Sequence, residues 1–162
     1  NWNTVNNGLP SNSCVRSLTS NGNSLFAGTY GGGVFHSSNS GGYWSVANNG
    51  LLGISINSFV LSGNNMIFSG TSRGIFRSPN NGVNWTSIAL LNRNIYSLIV
   101  SGNYMFAGTE NGGVYRSFNS GVWTSVGLSN LSISSFANSG NSIFAGSRSG
   151  DVGVFYWQGA PT

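Results

Sequence analysis

Two carboxylates are the first candidates for chemistry, because the chain contains only two acidic residues, Glu110 and Asp151. Glycoside hydrolysis usually requires two carboxylates that flank the scissile bond. Both acids lie in loops rich in glycine, asparagine and serine, and the aligned positions elsewhere in the chain carry unrelated residues, Tyr30 and Ser72. We therefore expect two solvated loop acids, no catalytic residue and no enzymatic activity.

The single histidine and the single cysteine restrict the remaining catalytic options. His36 abuts a predicted turn, where we expect a polar side chain at the surface rather than the base of a Ser-His-Asp system. Cys14 aligns with Ser55, Asn94 and Ser132, which indicates a position for a small residue. One histidine, one cysteine and two acids form no pattern of metal ligands, and one cysteine leaves no internal disulfide. We predict no metal and no cofactor.

Charge is sparse in this chain of 162 residues, since 5% are charged, lysine is absent, and six arginines give a net charge of +4. The arginines are scattered rather than gathered into a stripe that could follow a phosphate backbone, so we predict no nucleic-acid partner. No run approaches the ~18 apolar residues that span a bilayer, so we predict no membrane span. With 39% apolar and 13% aromatic residues, the chain can form the core of one folded domain.

A repeat of about forty residues organises the chain. Each copy contains a stretch of the form F-A/S-G-T/S, which begins at Phe26, Phe68, Phe106 and Phe144. A G-N turn precedes each stretch and a G-V/I-F/Y-x-S stretch follows it, in a weaker form in the fourth copy. The repeats run approximately over 10–50, 51–90, 91–129 and 130–157, and a further N-terminal strand covers 2–6.

Each repeat predicts β-strands, because short runs of Val, Ile, Leu, Phe and Tyr alternate with small or polar residues between Gly, Asn and Ser clusters. The first strand covers 15–19, 56–61, 95–100 and 133–137 in the successive repeats. The F-A-G-T stretch is the second strand, and the G-V-F-x-S stretch is the third. The fourth strand starts at Trp44, Trp85 or Trp123.

The third and fourth strands are joined by the motif S-x-N-x-G-x-x-W. An asparagine side chain accepts hydrogen bonds from backbone N–H groups just ahead of it, and glycine tolerates a positive φ, so the motif predicts a tight turn packed by its tryptophan. The third copy is one residue short. The motif residues are Ser37, Asn39, Gly41 and Trp44, then Ser78, Asn80, Gly82 and Trp85, then Ser117, Asn119, Gly121 and Trp123.

This motif resembles the Asp-box, or bacterial neuraminidase, repeat S-x-D-x-G-x-x-W, with asparagine in place of each aspartate. The resemblance covers essentially the whole chain. It implies an all-β fold, a β-propeller of four-stranded blades, as in sialidases, sortilin-type receptors, xyloglucan-degrading glycosidases and secreted bacterial surface proteins. In that family the box lies on the face away from the substrate, so the resemblance implies a structural role for the box residues.

The two ends of the chain match complementary parts of the repeat. Residues 2–9 match 44–51, so the chain opens on a fourth strand, and it closes on a third strand at 153–156. The N-terminal strand is therefore able to complete the last blade and close a ring, which removes exposed sheet edges. The same phasing would also let two chains join head to tail. It also fits a chain that is a piece of a larger propeller.

Two sets of loops share one face of the predicted propeller. Tyrosine rings stack on sugars while amides and guanidinium groups pair with hydroxyls, and the same residue types serve protein surfaces. We expect these loops to bind the ligand. Loops between second and third strands hold Tyr30, Arg73, Glu110, Arg148 and Asp151, and loops into the next repeat hold Asn12, Asn92, Arg93 and Asn130.

The sequence therefore favours a secreted or surface-displayed, non-catalytic propeller that binds glycans or proteins. One alternative is a structural subunit of an extracellular assembly, in which self-association proceeds through strand complementation. The other is a fragment of a glycoside-hydrolase propeller.

Overall fold

The computed structural model describes residues 1–51, 55–63, 65–149 and 153–158, which form four antiparallel sheets. Sheet 1 contains β1 (Cys14–Asn21), β2 (Ser24–Tyr30), β3 (Gly33–Ser37) and β4 (Ser45–Val46). Sheet 2 contains β5 (Ile56–Leu61), β6 (Ile67–Thr71), β7 (Gly74–Ser78) and β8 (Thr86–Ala89). Sheet 3 contains β9 (Ile95–Ser101), β10 (Tyr104–Thr109), β11 (Gly113–Phe118) and β12 (Trp123–Gly127). Sheet 4 contains β13 (Ser132–Ser139), β14 (Ser142–Ser149) and β15 (Val154–Gln158).

Each sheet is a meander, in which strands that follow one another in the chain pair antiparallel. The prediction of an all-β chain of short antiparallel strands is confirmed. In the part of the chain that the structure describes, no helix is long and apolar enough to cross a membrane.

Neighbouring sheets pack through their first strands, since β1 contacts β5, β5 contacts β9, and β9 contacts β13. At each boundary an isoleucine of the later sheet lies on a glycine of the earlier one. A Cβ atom built on Gly70, for example, would lie 2.8 Å from Ile95 Cγ2, so glycine is required for this close approach. The fully buried isoleucines are Ile56, Ile95 and Ile133, and they face Gly28, Gly70 and Gly108.

The hydrophobic core is divided among the spaces between the sheets. Between sheets 1 and 2 it contains Phe26, Val34, Ile56, Phe76 and Trp85, all of them buried. Corresponding clusters fill the spaces between sheets 2 and 3 and between sheets 3 and 4. The four sheets therefore form one row whose stability depends on contacts between successive sheets.

The expectation of an N-terminal strand at 2–6 is wrong, because this segment contains no strand. Instead, the Trp44 backbone N–H donates to the Asn7 carbonyl at 2.8 Å, and Trp44 Nε1 donates to the Val5 carbonyl at 2.8 Å. The described residues of sheet 4 form three strands, and β13 does not pack on β1 as the other first strands pack on one another. Among the described residues the row of sheets is open, so the N-terminal segment, bound to sheet 1, does not reach the free edge of β15.

Candidate functional site

The second S-x-N-x-G-x-x-W turn is held by its own side chains. Ser78 Oγ accepts a hydrogen bond from the Gly82 N–H at 2.8 Å and donates one to Asn80 Oδ1 at 3.0 Å. Asn80 Oδ1 also accepts from the Asn84 N–H at 2.9 Å. The amide oxygen thus performs the acceptor role that a carboxylate could play here. The first turn has the same bonds among Ser37, Asn39, Gly41 and Tyr43.

The tryptophan that ends each of these two turns donates hydrogen bonds to the segment that precedes its sheet. Trp85 Nε1 donates to the Ala47 carbonyl at 3.0 Å, and its backbone N–H donates to Asn49 at 2.8 Å. Trp44 makes the equivalent pair of bonds to the N-terminal segment. Both indole rings are buried, so these turns stabilise the contacts between neighbouring parts of the chain.

The third turn, which is one residue short, has different hydrogen bonds. Ser117 Oγ donates to the Gly121 carbonyl at 3.0 Å, whereas Asn119 uses its backbone N–H to reach the Asn103 carbonyl at 2.8 Å. Trp123 is half-buried, and its Nε1 has no hydrogen-bond partner among the described residues. In the described part of the chain Trp123 therefore lacks the indole hydrogen bond that Trp44 and Trp85 make to the preceding segment.

A line of polar side chains crosses the row of sheets beside the turns that follow the second strands. It starts on sheet 1, where the Arg16 guanidinium carbon lies 4.2 Å from the centre of the Tyr30 ring. Arg16 donates to Asn57 Oδ1 on sheet 2 at 2.9 Å. Asn57 Nδ2 in turn donates to Asn94 Oδ1 at 2.9 Å and to the Ile95 carbonyl at 2.8 Å, which joins sheet 2 to sheet 3.

The line continues on sheet 3 with Glu110. Its carboxylate accepts hydrogen bonds from Asn94 Nδ2 at 3.2 Å and from the Tyr96 hydroxyl. The Arg148 guanidinium carbon of sheet 4 lies 4.4 Å from the centre of the Tyr96 ring. Contacts between side chains therefore connect all four sheets. The polar line consists of Tyr30, Arg16, Asn57, Asn94, Tyr96, Glu110 and Arg148.

The strand pairing explains why these residues share one surface. Arg16, Asn57 and Tyr96 each follow the first aliphatic residue of the first strand of their sheet. Successive side chains of a strand point to opposite faces, so burial of Ile56 or Ile95 between the sheets directs its polar successor to the other face. Tyr30, Glu110 and Arg148 occupy the equivalent position after the glycine-threonine or glycine-serine pair of the second strand.

Hydrogen bonding perturbs the acid of this line. Donation from Tyr96, then from Asn94, lowers the pKa of Glu110 below its ordinary value, and the Arg148 charge acts in the same direction. Burial raises the pKa of the Tyr96 hydroxyl, and its hydrogen bond to Glu110 adds to this effect. At neutral pH the line therefore presents an ionised carboxylate, a neutral phenol and two guanidinium groups.

Replacement of Tyr96 with phenylalanine is expected to raise the pKa of Glu110 toward its ordinary value of 4.5, because the main hydrogen-bond donor is removed. Glu110 is the single glutamate of the chain, so its carboxyl carbon can be followed directly in a ¹³C NMR titration. Tyr43→Phe, at an exposed tyrosine of the first turn, serves as the control and leaves that pKa unchanged. An unaltered titration in Tyr96→Phe contradicts the assigned contact.

The same shift predicts a dependence of stability on pH. The pKa of Glu110 is lower in the folded chain, so its stabilising contribution is present above the unfolded pKa and is lost as the pH falls through the folded pKa. Tyr96→Phe should therefore lose less stability than the wild type over that acidic interval, as measured by urea unfolding at a series of pH values.

The structure brings together some of the predicted binding residues and separates others. Tyr30, Glu110 and Arg148 belong to the polar line. Glu110 is exposed, but it is held by hydrogen bonds rather than being a freely solvated loop acid. Arg93 instead lies over the Tyr115 ring, with its guanidinium carbon 5.0 Å from the ring centre, and Arg73 is an exposed residue of the β6–β7 turn.

The remaining predicted loop residues lie outside the line. Asp151 falls outside the described residues. Asn12, Asn92 and Asn130 are exposed, and the latter two have positive φ angles of 63° and 76°, a conformation that asparagine tolerates better than most residues. We assign these two a role in shaping their turns.

Sequence reasoning missed Arg16, Asn57, Asn94 and Tyr96 as members of a site. A usable signal was present, because the residue after the first aliphatic of each first strand changes from arginine to asparagine to tyrosine while its neighbours stay similar. When the residue type varies at one position of a repeat and is similar at the positions around it, the surface at that position differs from sheet to sheet. The strand positions alone could not show that these side chains touch.

The line is suited to recognition by hydrogen bonds and ring contacts. Tyr30 is 60% exposed, and Arg16, Glu110 and Arg148 are also exposed. Among the described residues no three histidine, cysteine, aspartate or glutamate side chains form a group able to hold a metal ion. Glu110 is the one acid in this described part of the chain, whereas hydrolysis of a glycoside normally uses two.

Comparison with known proteins identifies the fold but no family. No family model matches the chain, and no curated protein matches it. Among solved structures, the extracellular domain of BT4673 from B. thetaiotaomicron is 26% identical, with a TM-score of 0.76 over 91% of this chain and 21% of that one. The computationally designed protein Ika4 is 15% identical, with a TM-score of 0.72 over 93% of this chain and 94% of that one.

An enzyme shares the same arrangement of sheets. The GH74 xyloglucanase from Xanthomonas campestris is 16% identical, with a TM-score of 0.67 over 83% of this chain and 26% of that one. The chain thus spans about a fifth of the BT4673 domain and about a quarter of the xyloglucanase. At this level of identity the likeness shows the fold alone. The four antiparallel sheets of this chain have the arrangement of a β-propeller.

Proposed function

We propose that this chain is a non-catalytic propeller that binds a glycan through the polar line. The observation that carries the proposal is the continuous contact of Tyr30, Arg16, Asn57, Asn94, Glu110, Tyr96 and Arg148 across four sheets. A sugar presents hydroxyl groups and apolar ring faces together. Amides and guanidinium groups pair with the former, and exposed tyrosine rings pack on the latter.

The composition of the line supports a glycan over an extended protein surface. Its charged groups are two arginines and one glutamate, and the other members are neutral amides and phenols. Protein interfaces rely on a buried apolar centre, whereas large aliphatic side chains are absent from the line. A protein ligand remains the second outcome of the binding experiment.

Two further parts of the proposal concern the turns and the location. We propose that the S-x-N-x-G-x-x-W turns are asparagine forms of the Asp-box, since their serine, asparagine and glycine make a closed set of local hydrogen bonds. We also propose that the chain acts outside the cell. The likeness to an extracellular domain and the sparse charge of the sequence support this location.

A glycan array followed by calorimetry on the strongest ligand tests the binding site. Tyr30→Ala and Asn57→Ala are expected to weaken binding roughly tenfold or more, since each removes a hydrogen-bonding or ring contact worth about 1.4 kcal/mol. Tyr43→Ala is the matched control, because Tyr43 is also an exposed tyrosine, at 55%, but belongs to the first box turn. Binding that survives in both line variants would refute the assignment of the site.

The same samples test the absence of catalysis. Xyloglucan and related β-glucans are incubated with the chain and with Glu110→Gln, and the release of reducing ends is measured. We expect no turnover by either protein. Turnover by the wild type that disappears in Glu110→Gln would show that the chain is part of a glycoside hydrolase.

A further inference from the structure

The exposed apolar side chains at one end of the row belong to sheet 1. Val15 and Leu18 of β1 are 40% and 68% exposed. Their counterparts in the first strands of sheets 2 and 3 are buried or half-buried, because those strands pack on a preceding sheet. We call this surface the head, and it consists of Trp2, Val5, Val15 and Leu18.

The other end of the row, on sheet 4, also exposes apolar groups. Val154 is 76% exposed, whereas the matching third-strand residues Val34, Ile75 and Val114 are buried beneath the next sheet. Among the described residues a Cβ atom on Gly146 would meet only the Ser135 side chain, while Gly28, Gly70 and Gly108 are each covered by an isoleucine. We call this surface the tail, and it consists of Gly146, Val154, Tyr156 and the cavity described next.

A cavity of about 420 Å³ opens between sheets 3 and 4. Its walls repeat the surroundings of Trp85 between sheets 1 and 2. In sheets 1 and 2 the buried ring of Trp85 occupies this place, against Phe59 and Phe76. The cavity therefore corresponds to the place that the tryptophan of a fourth strand in sheet 4 would occupy. Phe106, Val114, Val126, Phe136, Ile143 and Phe155 line it where Phe26, Val34, Ala47, Phe59, Ile67 and Phe76 surround Trp85.

Trp2 lies in a sequence that matches the start of a fourth strand, where the tryptophan that would fill this cavity is expected. Residues 2–9 match 44–51, so Trp2 corresponds to Trp44. The carbonyls of Val5 and Asn7 accept hydrogen bonds from Trp44 as those of Ala47 and Asn49 do from Trp85. The N-terminal segment thus lies against sheet 1 where the last strand of a preceding sheet would lie. Trp2 itself is fully exposed.

We propose that the head of a second copy of this chain docks on the tail, with Trp2 of that copy in the cavity between sheets 3 and 4. In this arrangement Val15 of the second copy covers Gly146, as Ile56, Ile95 and Ile133 cover their glycines. The new contact reproduces the boundary that already occurs between successive sheets of one chain, so it extends an interface that the fold demonstrably forms.

A second copy fits this cavity better than the chain's own N-terminus does. The N-terminal segment is bound to sheet 1, and the first strands of sheets 1 and 4 do not pack together in the part of the chain that the structure describes. Insertion of the chain's own Trp2 would require the three existing boundaries between sheets to change, whereas docking of a second copy requires no change. Head-to-tail contacts of this kind join two different surfaces. Two copies form a closed dimer when the head of each docks on the tail of the other.

Mass measurement in solution tests the proposal directly. The wild type is expected at twice the 17.0 kDa of one chain, by multi-angle light scattering or analytical ultracentrifugation at micromolar concentration. Trp2→Ala is expected at 17.0 kDa. Val122→Ala replaces an exposed aliphatic residue that belongs to neither surface, and it should behave as the wild type. Circular dichroism verifies that each variant is folded.

A mixing experiment shows whether the contact joins two chains. Trp2→Ala retains its tail, and Val154→Arg retains its head, so the two variants are monomers when separate and form a species of two copies when mixed. A wild type that stays at 17.0 kDa, with Trp2 buried in its own chain or left free, overturns the proposal. Persistence of the assembly in Trp2→Ala, or failure of the mixture to associate, overturns it as well.

Discussion

Trp85→Ala is expected to lower the free energy of unfolding by about 3–5 kcal/mol, the usual cost of removing a large buried aromatic side chain. Trp85 is 3% exposed and lies in the core between sheets 1 and 2. Its removal leaves a cavity beside Phe59 and Phe76 and takes away the donor that satisfies the Ala47 carbonyl. Urea unfolding followed by circular dichroism measures the loss.

Trp123 provides the matched control in the same position of the third turn. It is half-buried, and its Nε1 has no hydrogen-bond partner among the described residues, so Trp123→Ala should cost clearly less. The phenylalanine variants isolate the hydrogen bond. Trp85→Phe should be destabilised by roughly 1–3 kcal/mol because the half-buried Ala47 carbonyl loses its donor, and Trp123→Phe should change little. Equal losses at the two positions would contradict the difference between the turns.

Gly108→Ala is expected to destabilise the chain by about 1–3 kcal/mol through overpacking. The added Cβ atom would lie 2.5 Å from the Ile133 carbonyl oxygen and 2.8 Å from Ile133 Cβ. A backbone carbonyl cannot rotate out of the way, so sheets 3 and 4 must move apart. The same unfolding measurement detects the loss.

Gly153→Ala is the control for this substitution. Among the described residues the nearest atoms to its new Cβ atom belong to the Phe155 ring at 3.8 Å, an ordinary van der Waals contact. We expect a change within about 0.5 kcal/mol, or a slight stabilisation from the smaller entropy of the unfolded chain. A stable Gly108→Ala protein would show that the boundary between sheets is looser than the structure indicates.

The local features of the fold could be predicted from the sequence, because the interactions that form them lie within a few residues. Alternation of apolar and small residues predicted the strands, and Ser78, Asn80 and Gly82 form their turn through bonds that span at most four positions. The shortened third copy was visible as well. Its consequence for the Trp123 indole was not, because that depends on the distance to the preceding sheet.

The candidate site was predicted only in part. Tyr30, Glu110 and Arg148 were expected at one face from the repeat, and the structure places them in the polar line. Arg16, Asn57 and Tyr96 were missed, because each contacts a residue of a neighbouring sheet that is far away in the sequence. Such contacts depend on how closely one sheet packs on the next.

From the order of its residues alone, this chain is an all-β protein of repeated antiparallel strands with tight S-x-N-x-G-x-x-W turns. Those properties follow from hydrophobic alternation and from hydrogen bonds between near neighbours in the chain. The packing of the sheets determines the rest: which polar side chains meet across the boundaries, and whether Trp2 finds a strand of its own chain. Both outcomes depend on how closely Ile56, Ile95 and Ile133 pack against the glycines of the preceding sheet. No short stretch of sequence encodes that distance.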